Sequence, residues 1–107
     1  MPCPKTKDFS AWINVMPAAE QELTVSGQVE TDSSTLLPQL TERVPPGINP
    51  EILLLDLTIV ESGQTGLPVV GFRDAIFRRP ASKGQFTQVE ILCKDDTCVS
   101  IKVTEAT

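Results

Sequence analysis

Between Glu22 and Glu30 the chain alternates without a break. Leu23, Val25, Gly27 and Val29 fall on one side, and Glu22, Thr24, Ser26, Gln28 and Glu30 on the other. A period of two sends successive side chains to opposite faces of an extended backbone, so this segment predicts a half-buried antiparallel strand. Gly27 in its middle predicts a bulge or the close approach of a neighbouring backbone. The pattern recurs from Glu51 to Glu61, where Leu53, Leu55, Leu57 and Ile59 make one wholly apolar face. Ile52, Leu54, Asp56, Thr58 and Val60 make a mixed one, which places this strand inside a sheet rather than at its edge.

Further strands are weaker but of the same kind. Phe9, Ala11, Ile13 and Val15 alternate up to Pro17. Thr31 to Pro50 reads as a long proline-rich connection, within which Leu36 to Leu40 predicts a short edge strand or one helical turn. From Val69 to Arg79 the alternation slips, because Val70 and Phe72 have one parity and Ala75 and Phe77 the other. A bulge near Arg73–Asp74 would repair it. Phe86 to Thr104 predicts a hairpin around Lys94–Thr97, with two registers in competition. A four-residue loop sets Cys93 opposite Cys98 and splits the apolar residues between faces. A three-residue loop, Lys94 to Asp96 with Asp96 left-handed, gathers Val89, Ile91, Val99, Ile101 and Val103 on one face and sends Cys98 away. One bulge between the turn and Ile91 satisfies both demands, since it switches parity once.

Six to seven strands in 107 residues, with nine prolines and six glycines between them, predict an all-β domain. The expected architecture is an antiparallel two-sheet sandwich, immunoglobulin-like or transthyretin-like, with a small β-barrel as the alternative. Residues 1–8 are expected to be a flexible tail, and 9–105 a single domain carrying the 31–50 loop. The net charge of −5 opposes binding to nucleic acid or to an anionic surface. The longest apolar run, Ile52 to Leu55, is too short for a transmembrane segment. No apolar stretch follows Met1-Pro2-Cys3-Pro4-Lys5 as in a signal peptide, which leaves a cytosolic protein or one whose leader has been removed.

Histidine and tyrosine are absent. That removes His-dependent triads, His zinc sites and imidazole acid–base chemistry, and no cofactor or metal is predicted. Of the three cysteines, Cys93 and Cys98 are the candidate disulfide across the turn, with Cys3 the odd thiol in the tail. A bridge at the turn points to an exported protein, periplasmic or extracellular, and free thiols to a cytoplasmic one.

Arg73, Arg78, Arg79 and Lys83 concentrate basic charge within eleven positions, a candidate patch for an anion or an acidic partner. Asp56, in the most apolar strand, requires a partner if buried, and Arg73 is the candidate. Asp95 and Asp96 on the turn, with Asp32 and Glu61 on other loops, lack EF-hand spacing for calcium. Gly63-Gln64-Thr65-Gly66 lacks the lysine of a phosphate loop. Trp12 and Met16, on the polar parity of the first strand, are a candidate apolar contact for a partner or a homodimer.

These features point to a non-enzymatic binding or protein-interaction module. The alternatives are an inhibitor or accessory subunit presenting loop 31–50 to a partner enzyme, and a carboxylate-dependent enzyme, which would need a deep cleft with two convergent acids.

Overall fold

The computed structural model describes residues 3–14, 21–44, 47–63, 66 and 68–106. Among these described residues seven strands form: β1 (Thr6–Asn14), β2 (Glu22–Thr31), β3 (Leu36–Glu42), β4 (Ile52–Glu61), β5 (Gly71–Pro80), β6 (Gln88–Cys93) and β7 (Asp96–Ala106). They hydrogen-bond as a single sheet in the order β3-β4-β6-β7-β1-β2-β5. The β1–β7 and β4–β6 pairs are parallel and the rest antiparallel. The sheet curls until its two outermost strands approach each other, where the Arg79 guanidinium of β5 meets the Glu42 carboxylate of β3 at 2.9 Å. The result is an all-β, nearly closed, barrel-like sheet, which agrees with the barrel alternative.

The alternating apolar residues fill its interior. Ile13, Leu23, Val25, Val29, Leu55, Val89 and Ile91 are the largest fully buried side chains. Each is worth roughly 1.5–3 kcal/mol relative to an exposed position. What approaches Gly27 is an aromatic ring rather than backbone: a Cβ there would stand 2.3 Å from Phe9 Cγ. Phe9 reaches this position because β1 carries a register shift between Lys7 and Ser10, with Asp8 at φ 58°.

The expected bulge in the fifth strand is not formed. β5 holds one register against β2 from Glu22↔Pro80 to Thr31↔Gly71, with no bulge near Arg73–Asp74. The slip in its pattern has another cause: Phe72 and Ile76 face outward and remain exposed, while Arg73 and Arg79 take half-buried positions on the inward parity of Ala75. Arg73 is held there by its guanidinium, which donates to the carbonyls of Thr31, Gly71 and Val69 at 3.2, 2.6 and 2.9 Å. Within the segment 31–50 the short edge strand expected at Leu36 to Leu40 forms as β3, which stands at one end of the strand order and pairs with β4 over its whole length. Arg43 N donates to Leu54 O at 2.9 Å, so the bonded pairs of that ladder fall on odd residues of β3. Pro38 sits at an even one, where its missing N–H costs the ladder nothing.

Candidate functional site

The site is built around the tip of the β6–β7 hairpin. Cys93 pairs with Asp96 and Leu92 with Thr97, but Ile91 pairs with Val99, so the ladder shifts register between Ile91 and Leu92. Cys98 is the extra residue of that bulge. Val89 and Ile91 thereby share a face with Val99 and Ile101, as the apolar pattern requires. The loop is shorter than expected: Lys94 and Asp95 alone make the turn, and the left-handed residue is Lys94 at φ 57°, not Asp96.

The bulge also decides the disulfide, and here the candidate pair is corrected. Cys98 is bonded to Cys3, with Cα atoms 5.5 Å apart, and Cys93 is the free thiol. With Cys98 outside the ladder, Cys93 and Cys98 do not oppose each other. The parallel β1–β7 pairing meanwhile carries the start of the chain to the hairpin tip. Cys3 is therefore anchored, contrary to the tail expectation for that residue. All three sulfurs still lie within 4.8 Å of one another. Burial first, then the Asp96 carboxylate, push the Cys93 thiol above its usual pKa, so it is protonated at neutral pH.

Beside this tip lies a cleft of about 700 Å³. Leu57, Thr58 and Ile59 of β4 line it from one strand, Pro4, Cys93 and Lys94 from the hairpin side, together with the cross-strand pair Asp56–Thr41. Its existence follows from unequal strand lengths. The ladder from β4 to β6 stops at Asp56↔Leu92, whereas the ladder to β3 continues to Glu61↔Leu36. Among the described residues, 57–61 consequently have a strand partner on one side only. By the alternation of the β3 ladder, the backbone N–H and C=O of Ile59 turn toward the vacated side. Ile59 is 42% exposed.

Arg43, which the sequence reading did not single out, ties the cleft together. Its Nε donates to Asp56 Oδ1 at 2.9 Å and its Nη2 stands 2.7 Å from the same oxygen. Nη2 also donates to Lys94 O, and Nη1 lies 3.6 Å from the exposed Asp95 carboxylate. The hydrogen bond to Asp56 raises the already high pKa of Arg43. Asp56 is thus partnered by Arg43, not by Arg73, and among the described residues it is the one carboxylate lining the cleft.

The remaining candidates are dispersed. Arg73 caps one end of the sheet through backbone carbonyls, while Arg79 pairs with Glu42 and stacks 5.1 Å from the Phe86 ring centroid. Lys83 lies 3.8 Å from Glu105, and Arg78 points outward, so the four basic residues do not converge. Trp12 is half-buried on the outer face of β1, opposite Thr24 and Thr104, and Met16 lies outside the described residues. Among the described residues, only the three cysteines bring metal-ligating groups together; Asp32, Glu61, Asp95 and Asp96 do not. No protein-family model, curated protein or solved structure matches this chain.

Proposed function

We propose that this domain is a non-enzymatic binding module that takes an extended peptide segment along the unpaired end of β4. The supporting observation is the ladder mismatch: β4 runs five residues beyond its pairing with β6, beside an apolar-lined cleft. Strand addition uses such an edge, with backbone hydrogen bonds supplying affinity and alternate side-chain pockets supplying specificity. Leu57, Ile59 and Pro4 favour apolar residues at alternate positions of the peptide. The Asp56 carboxylate, neutralised by Arg43, does not repel them.

The test is selection from a displayed library of eight- to twelve-residue peptides, followed by calorimetry and amide-shift mapping of a selected peptide. Perturbation centred on residues 57–61, with binding weakened about tenfold or more by Ile59→Lys, supports the reading. A peptide that binds Ile59→Lys unchanged overturns it. A second reading, that the loop after β3 is presented to a partner, rests on Val44 (85% exposed) and Ile48 (fully exposed). Val44→Ser with Ile48→Ser would then abolish binding while Ile59→Lys would not.

A further inference from the structure

We propose that Cys3, Cys93 and Cys98, once the Cys3–Cys98 bridge is reduced, form a three-sulfur site for a soft monovalent metal ion, Cu(I). The three Sγ atoms lie within 4.8 Å of one another although they come from the start of the chain, the last residue of β6 and the bulge of β7. A metal about 2.3 Å from each of three sulfurs needs them roughly 4 Å apart. Cys93 is already within that range of adjustment. The bonded pair must part to the same spacing on reduction, and rotation about χ1 allows it from Cα atoms 5.5 Å apart.

The donor set selects the ion. The chain has no histidine, so no imidazole can join the cluster. Thiolates alone favour Cu(I) and Zn(II) among biological metals. Cu(I) is satisfied by three sulfurs in a trigonal arrangement, whereas Zn(II) requires a fourth ligand. Cys3 is exposed, which gives the ion a direct path from solvent.

The chemistry balances in two steps. A dithiol reductant delivers two electrons and two protons to the Cys3–Cys98 bond and leaves as its own cyclic disulfide, giving three thiols at the site. Cu(I) then takes three thiolates and three protons pass to solvent, with no change in oxidation state. This inference does not rest on the peptide-binding reading, although Cys93 belongs to both features.

The experiment is an anaerobic titration of the protein, reduced with dithiothreitol and freed of it, with Cu(I) held by the chromophoric chelator bicinchoninate. One equivalent should transfer to the reduced protein and none to the oxidised protein. Cys93→Ser retains both bridge cysteines and should weaken binding about tenfold or more. X-ray absorption of the loaded protein should show three sulfur neighbours. Equal affinity of wild type and Cys93→Ser, or equal uptake by the oxidised protein, would overturn the proposal. Two sulfur neighbours would do the same, and so would Zn(II) displacing Cu(I) in a parallel titration.

Discussion

The Cys3–Cys98 bond closes a loop with a sequence separation of 95, and that length makes a quantitative prediction. In the chain-entropy picture a loop of this size stabilises the fold by about 4.7 kcal/mol, by restricting the unfolded chain. A Cys93–Cys98 bond would close a loop of six residues, and the same relation gives only about 2 kcal/mol. Two variants separate the cases. Cys93→Ser leaves Cys3 and Cys98 to pair, while Cys3→Ser leaves only the pair across the turn. Each is unfolded in urea, oxidised and again reduced, with a chelator present to exclude metal, following Trp12 fluorescence. The gain on oxidation should be larger in Cys93→Ser by roughly 2.5 kcal/mol. With a urea dependence of about 1–3 kcal/mol/M, that is a midpoint difference of about 1–2.5 M. Equal gains in the two variants, or a larger gain in Cys3→Ser, would refute the assignment of the bridge and the anchoring of the N-terminal segment.

Gly27→Ala drives a methyl group to 2.3 Å from Phe9 Cγ. Overpacking of about 1–3 kcal/mol outweighs the ~0.5–1 kcal/mol that alanine gains over glycine, so thermal melting should fall by several degrees, and Phe9→Leu should recover part of it. Arg73→Met keeps the aliphatic stem but strips the donors from the carbonyls of Thr31, Gly71 and Val69. Stability should drop by about 1–2 kcal/mol, with faster hydrogen exchange confined to that end of β2 and β5. For Cys93 the folded state favours the protonated thiol, so its contribution to stability is complete below the unfolded-state thiol pKa. That contribution is lost as pH rises through the higher folded value. Alkylation of Cys93 in the oxidised protein should accordingly be slow at neutral pH, and its rate should climb at higher pH than that of a model thiol peptide.

The strands were legible wherever one face was apolar and the other polar, because that pattern is a local property. Leu23 to Val29 and Leu53 to Ile59 needed nothing beyond their own alternation. What local pattern does not encode is a side-chain position decided across the fold. Phe72 and Phe77 have opposite parity, and burying both required a bulge; instead β5 leaves Phe72 outside and turns Arg73 inward, where its guanidinium donates to the carbonyls of Thr31, Gly71 and Val69. Arg73 is the local candidate for the partner of Asp56, but Arg43 supplies it from the ladder position opposite Leu54. The pairing of Cys98 with Cys3 depends on the parallel contact of β1 and β7, between segments almost a chain length apart, and no local pattern encodes that contact. The cleft was equally invisible, since it arises from the difference between two strand lengths.

One local geometry accounts for both the cleft and the cysteine cluster. With only Lys94 and Asp95 in the turn, β6 ends at Cys93, and the end of β4 is left uncovered. A tight turn continued without interruption would set Ile91 opposite Cys98 and Val89 opposite Ser100. Val99, Ile101 and Val103 would then face away from the core, because a one-residue slip reverses every side chain. Once the turn is this short, the apolar pattern demands the bulge at Cys98 whatever the oxidation state of the thiols; a three-residue loop would align the same residues without one. It follows that the bulge carries no information about compartment. What it does carry is position. By taking Cys98 out of the ladder, it brings the Cys98 sulfur within reach of both Cys3 and Cys93, at the edge of the groove that the short turn has opened.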